Sequence, residues 1–292
     1  MCCSPFCAVS YCYAVDEMNP IVLTAYNRLD RLKKTMESLS NCYYFDKDDL
    51  TVYVDGGKNK EDWGKVDEVW EYVKGTSVEA YRTRSNWGLK SSSLSAINDA
   101  LLLSDKIIFV QDDMQFSRDF LQFMDWALNE FENRKDIMFV TGYSHIEQPT
   151  CYLTTLLADG LGIWRDKYSE KYNLYPNYKI FARHTAPLFA NNLRNILEGK
   201  SDAFMALLCY AMHFKHARCL HPNGNKVKYL VSDSTNSSKR DAKKFNRLLY
   251  TGFSKVLTEN NDAQIQIRNS KTYKWSILKR FTRWIVRKFT GA

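Results

Sequence analysis

From Ile21 to Thr141 the chain alternates between two spacings of apolar residues. Short uninterrupted runs, at Ile21–Ala25 (IVLTA), Leu50–Val54 (LTVYV), Val78–Tyr81, Lys106–Val110 (KIIFV) and Ile137–Thr141 (IMFVT), read as buried strands. Between them apolar residues recur at every third or fourth position. Leu29, Leu32, Met36 and Leu39 do so within 28–39, and Val66, Val69, Trp70 and Val73 within 65–73. A further helix is expected from about Ser91 to Leu103, and Phe120, Phe123, Met124, Ala127, Leu128 and Phe131 form another apolar stripe, which reads as core. Strands alternating with helices in this way predict βαβ units and one parallel sheet.

After Thr141 loop signals take over: Gly160-Leu161-Gly162, a tyrosine-rich stretch at 168–178, Pro222-Asn223-Gly224-Asn225, and a polar stretch at 232–244 that reads as a mobile loop. The chain therefore divides into a cysteine-rich leader (1–19), a first half (20–145), a loop-rich second half (146–268) and a basic tail (269–292). With 45% hydrophobic and 14% aromatic residues over 292 positions, a sizeable core is expected rather than disorder. No run reaches the ~20 apolar residues that span a bilayer. The opening residues lack the basic start and cleavage site of a signal peptide, so export is not expected. Of the eight cysteines, Cys2, Cys3, Cys7 and Cys12 crowd the leader, where Cys2, Cys3 and Cys7 could be acylated or simply form a poorly ordered leader; none of the spacings forms a paired zinc pattern, and the expected compartment is a reducing one.

The net charge of +8 changes the picture less than its location does. Lys271, Lys274, Lys279, Arg280, Arg283, Arg287 and Lys288 account for seven of the eight excess charges, leaving a nearly neutral body that argues against a broad nucleic-acid groove.

Three predicted strands end in chemistry-bearing residues: Thr24-Ala25-Tyr26-Asn27-Arg28, Asp55-Gly56-Gly57 and Asp112-Asp113. In a doubly wound sheet such ends share one crevice. Adjacent carboxylates there suit a hard divalent cation, Mg2+ or Mn2+, which takes oxygen ligands and completes its shell with water and substrate phosphates. Simpler readings stay open at this point. Asp112 and Asp113 could cap the next helix, Asp55 could form a turn before two glycines, and Lys90 could be a solvated lysine at a helix start.

The segments PIVLTAYNR, TVYVDGG, SNWGLKSSSLSAINDAL and IIFVQDDMQFSRDFLQFM, in this order and at these separations, resemble glycosyltransferases of the GT-A fold. The likeness is to inverting enzymes related to N-acetylglucosaminyltransferase I and to bacterial family-two sugar transferases; it covers 20–145 closely and 146–235 in outline. It implies a Rossmann-like α/β fold, a mostly parallel sheet flanked by helices, with a loop-rich acceptor half; the pattern of the tail adds a C-terminal amphipathic helix. It further implies that Thr24, Ala25, Tyr26 and Arg28 line a nucleotide pocket, that Asp55 meets the uracil or ribose, and that Lys90 pairs with donor phosphate. Asp112 would contact ribose or sugar hydroxyls, and Asp113 would hold the metal bridging the diphosphate. Gly160, Gly162 and Trp164 would border the donor sugar and acceptor, with the indole stacking on a sugar ring; otherwise they form an ordinary turn with a packed tryptophan. Asp202, in SDAFM, is the best match to the general base, or else the N-terminal acid of a helix through Leu207 and Tyr210. The chain departs from the family in carrying Gln111 where many relatives have Glu, and in lacking a tryptophan beside Asp202. His221, before Pro222, offers a metal or phosphate contact or a structural histidine, whereas His145, His184, His213 and His216 share no ligand spacing.

On a helical wheel Trp275, Ile277, Leu278, Phe281, Trp284, Ile285 and Phe289 share one side, and Lys279, Arg280, Arg283 and Arg287 the other, the arrangement of a helix on an anionic membrane surface or of one docked on its own domain. The expectation is thus a metal-dependent glycosyltransferase, peripheral to a membrane on its cytoplasmic face. It would move a sugar from a nucleotide-sugar, preferably a UDP-sugar, to a saccharide or lipid-linked acceptor, with inversion and with no nucleic-acid partner. The competing reading is a catalytically silent nucleotide- or sugar-binding protein of the same fold.

Overall fold

The computed structural model describes residues 18–155, 157, 159–168, 187–230 and 248–258. Most of the cysteine-rich leader, most of the tyrosine-rich stretch, His184, the 232–244 stretch and the basic tail lie outside the described residues.

Strand β1 (Ile21–Ala25) is the axis of the molecule, buried at every position. It lies parallel between β2 (Leu50–Val54) and β4 (Lys106–Gln111), with Leu23 opposite both Val52 and Val110. Helices α1 (Leu29–Ser40), α2 (Lys60–Gly75) and α3 (Gly88–Leu103) connect these strands and β3 (Glu79–Arg82) as the periodicity predicts. Local chemistry sets the boundaries: the Asn59 side chain accepts from the Asp62 amide at 2.9 Å to cap α2, and Glu61 and Asp62 complement its N-terminal dipole.

After β4 the chain makes a short strand β5 (Met114–Phe116), then α4 (Phe120–Glu130) and β6 (Ile137–Thr141). The second half adds β7 (Cys151–Thr154), β8 (Leu161–Trp164), α5 (Pro187–Leu197), α6 (Met205–Phe214), β9 (Arg218–His221), β10 (Val227–Tyr229) and β11 (Leu257–Thr258). The nine-stranded sheet runs β11-β7-β9-β6-β8-β4-β1-β2-β3, and β5 pairs with β10 in a separate ribbon. This is a mostly parallel α/β sheet flanked by helices. One core lies under α1, α2 and α4, and the other under α3, α5 and α6.

The sheet is continuous across residue 145. Strand β8, read from sequence as a loop, is inserted antiparallel between β4 and β6, with Gly162 opposite Ile108 and Val140. The halves of the chain therefore share one sheet. The expected helix beginning near Ser201 is α6, starting at Met205.

A buried ion pair ties the second half to the first. Lys226 is fully buried, and its ammonium donates to Asp119 Oδ2 at 2.8 Å and to the Tyr250 and Gly252 carbonyls at 2.7 Å each. Asp119, directly before α4, also accepts from the Gly252 amide and the Ser117 hydroxyl, both at 2.7 Å. Burial pulls the Lys226 pKa down, and Asp119 opposes that pull. A second fastening joins β6 to β9. Asp136 accepts from Arg134 Nε at 2.8 Å, Arg134 Nη2 at 2.9 Å and Arg218 Nη2 at 2.6 Å. The Arg134 hydrogen bonds foremost, against partial burial, hold the Asp136 carboxyl well below the usual range.

Replacing Lys226 by Met leaves a buried carboxylate without its cation and should cost about 3–5 kcal/mol in denaturant unfolding, while adding Asp119→Asn should recover at least half of the loss. For Asp136, a depressed folded pKa means that the stabilisation is complete above the unfolded value of about 3.9 and is lost as pH falls below it. Asp136→Asn should therefore cost about 1 kcal/mol at neutral pH, the carboxylate being 36% exposed and screened. Equal stability of wild type and variant at pH 7 would contradict this, as would a gap that widens below about pH 4.

Candidate active site at the carboxyl edge of the sheet

Because β1, β2 and β4 are parallel and in register, their carboxyl ends stand side by side. The Asp55 amide donates to the Ala25 carbonyl and the Asp112 amide to the Thr24 carbonyl, each at 3.0 Å, so both acids leave the sheet next to the end of β1.

Asp112 is buried, with 3% of its surface exposed. One oxygen accepts from Arg28 Nη2 at 2.5 Å, and the other from the Tyr26 amide at 3.3 Å. Burial pushes its pKa up to about 6; Arg28 opposes the rise and Asp113 adds to it. Burial also weakens the Arg28 cation, but Asp112 and Asp113 together leave its pKa above the ordinary value. Arg28 Nη2 stands 3.3 Å from Asp113, whose side chain is 21% exposed and faces solvent where Asp112 does not.

Asp159, to which the sequence pattern assigned no role, is a further acid here. Burial and then the charge of Asp113 push its pKa up to about 7. It precedes Gly160, whose φ of +68° turns the chain into β8, and where an added Cβ would lie 2.7 Å from Val227. Its signal in the sequence was an acid at a glycine turn into a strand. Two mutually repelling carboxylates at one edge, one of them open to solvent, have the donor chemistry of a Mg2+ or Mn2+ site completed by water and phosphate oxygens. Among the described residues no group of three or more His, Cys, Asp or Glu forms a cage by itself.

Asp55 has a different environment. Its carboxylate accepts from the amides of Gly56, Trp87 and Gly88 at 2.9 Å each, and from Thr83 Oγ1 and Asn86 Nδ2 at 3.1 Å each. It thereby fastens the Asn86-Trp87-Gly88 turn and the N-terminus of α3 to the end of β2. Gly88, at φ +78°, is where Asp202 arrives: an added Cβ would lie 2.8 Å from Asp202 Oδ2. Asp202 is exposed, and Lys90, half-buried, lies in the first turn of α3. Thr24 is buried, and its hydroxyl has no hydrogen-bond partner among the described residues. Ala25 is buried, and Tyr26 has its pKa pushed up to about 12 by burial and then by Asp62.

The edge therefore brings together Thr24, Ala25, Tyr26, Arg28, Asp55, Asp112 and Asp113, and the start of α3 brings Lys90 and Asp202 to the Asp55 turn. Two expected members are elsewhere. Trp164 is 1% exposed, donates its indole N–H to the Leu128 carbonyl at 2.9 Å, and carries the Lys167 ammonium 3.5 Å from its ring centre. Gly162 lies against Leu128 and Met124 in β8. Both are core residues, because β8 is an interior strand packed beneath α4, and neither presents a face to a sugar. His221 is likewise core: it stacks on Tyr152 at 5.1 Å, and its ring nitrogens lie 2.8 Å from the Tyr143 carbonyl and 3.2 Å from Thr154 Oγ1.

No described protein family and no curated protein matches the chain. Among solved structures it is similar to residues 1–349 of S. aureus TarS, at 14% identity and a TM-score of 0.42, covering 70% of this chain and 58% of that one. A longer S. aureus TarS structure gives 14% identity and a TM-score of 0.44, over 74% of this chain and 37% of that one. A Pyrobaculum calidifontis mannosyltransferase, PcManGT, in complex with GDP-Man and Mn2+, gives 12% identity and a TM-score of 0.37, over 69% and 71%. The chain thus spans under two thirds of the length of the TarS structures.

If Arg28 compensates the buried Asp112, Arg28→Ala should destabilise by about 3 kcal/mol, and Arg28→Ala with Asp112→Asn by clearly less than the sum of the single changes. Additive losses in urea unfolding would contradict the pairing.

Proposed function

We propose that this chain is a metal-dependent glycosyltransferase that moves a sugar from a nucleotide-sugar, preferably a UDP-sugar, to a hydroxyl of a saccharide or lipid-linked saccharide, with inversion. The observation that carries the reading is the convergence on one sheet edge of an acid pair with one member, Asp113, open to solvent, a buried acid clamped by an arginine, and an exposed acid at the start of the neighbouring helix.

Asp113, with Asp159 beside it, would hold Mn2+ or Mg2+. Such an ion neutralises charge on a departing nucleotide diphosphate. Arg28, held by Asp112, orients Asp113 and keeps the end of β4 in place. Asp55 acts by holding the turn at 86–88, so that the backbone there and the residues 24–26 form a fixed wall for the nucleoside. Asp202, the exposed carboxylate, takes the proton of the acceptor hydroxyl as that oxygen attacks the anomeric carbon. The C–O bond to the diphosphate breaks with its electron pair passing to the leaving group. Among the described residues no helix is long and apolar enough to cross a membrane. Attachment to an anionic cytoplasmic face through residues 271–292 is part of the proposal and rests on the sequence of the tail.

The test is UDP release from a panel of UDP-sugars, with Mn2+ or with chelator, in the presence of saccharide acceptors. Turnover should require the metal and be lost in Asp113→Ala. Asp202→Asn should slow transfer by roughly 10²- to 10⁴-fold while leaving UDP binding intact. Tight nucleotide binding with no turnover of any donor would instead identify a silent binder.

A further inference from the structure

Arg31 is a cation that forms no ion pair among the described residues. It is 6% exposed, and its Nη1 is buried with no hydrogen-bond partner among the described residues. A buried charge left unpaired is strongly unfavourable, so its counter-charge is to be sought in a ligand.

Its position on α1 indicates which ligand. Positions three and four apart on a helix lie one above another on the same face. One turn before Arg31, Arg28 reaches Asp112 at 2.5 Å and Asp113 at 3.3 Å. One turn after it, the Thr35 hydroxyl accepts from the Met114 amide at 3.2 Å. Arg31 therefore sits between two contacts to the consecutive residues 112–114, on the side where α1 packs against β5. Arg28, the cation expected to serve the nucleotide, is engaged with two carboxylates. The edge thus has its acids partly neutralised by Arg28, and one helical turn further along α1 a second arginine has no ion pair among the described residues.

We infer that Arg31 is the anion-binding residue of this edge and takes a phosphate oxygen of the bound substrate. Guanidinium–phosphate hydrogen bonds are charge-assisted, and the planar fork suits two oxygens at once. The phosphate could belong to the donor diphosphate or to a phosphorylated acceptor. The inference rests on the reading of this edge as the substrate site.

The experiment measures binding of uridine, UDP, inorganic pyrophosphate and glycerol 3-phosphate by calorimetry to the full-length chain and to Arg31→Met and Arg31→Lys, with the thermal midpoint of each. If Arg31 serves the donor, Arg31→Met should weaken UDP and pyrophosphate by at least about tenfold and leave uridine unchanged, as expected for loss of a hydrogen bond to a charged group. If it serves an acceptor, glycerol 3-phosphate is the ligand that weakens. Either result supports the inference, and Arg31→Lys should recover part of the loss. Because Met removes an unpaired charge, the midpoint should not fall. A large fall in midpoint with all ligands weakened alike would make Arg31 structural and overturn the inference. Unchanged phosphate affinity in Arg31→Met would overturn it while UDP binding by the wild type leaves the substrate-site reading standing. If the wild type binds pyrophosphate through Arg31 but neither uridine nor UDP, the nucleotide reading fails and the anion site survives; if it binds none of the four, both fall.

Discussion

The molecule is organised by the need to bury carboxylates at the rim of a hydrophobic sheet. Asp55, Asp112 and Asp119 are only 4%, 3% and 2% exposed, and a buried carboxylate survives only where donors surround it. Each has a different solution. Asp55 takes its donors from Thr83, the 86–88 turn and the start of α3, Asp112 from Arg28 and the Tyr26 amide, and Asp119 from Lys226, Ser117 and the Gly252 amide. These donor sets decide which loops stand at the rim, because a loop that moves away strands a charge.

The three solutions form one chain of support. Lys226 holds Asp119, and its carbonyl accepts from the Ser117 amide at 2.9 Å as β10 pairs with β5. The Leu230 amide at the end of β10 donates to the Asp113 carbonyl at 2.7 Å. The buried ion pair that joins the two halves of the chain is thus linked through two short strands to the acid proposed to hold the metal. Asp113 is shaped from one side by Arg28 and from the other by β10, which makes its position a property of both halves of the sequence.

The strands and helices through residue 141 were legible because apolar spacing is a local signal and this part of the sheet is built from consecutive βαβ units. The second half was less legible. LGIW at 161–164 is four residues long, follows Gly160 and contains Gly162, so it reads as a turn, and only its antiparallel insertion between β4 and β6 makes it a strand. Trp164 was misread for the same reason: an indole beside glycines can stack on a sugar or fill a core, and its fate followed from α4 lying over β8. Asp159 carried too little local signal to single it out, because what gives it chemistry is the charge of Asp113, 46 residues earlier in the sequence.

By itself the sequence determined the rhythm of strands and helices and the fact that acids and an arginine fall at strand ends, since hydrophobic periodicity and turn chemistry act over a few residues. Only the tertiary structure decided which charge meets which. Arg28 and Asp112 are 84 positions apart and Asp119 and Lys226 are 107 apart, and nothing local links the members of either pair. It also left Arg31 buried with no ion pair among the described residues. Desolvation and Coulomb attraction act through space, so the assignment of each buried charge to its partner exists only once the chain has folded.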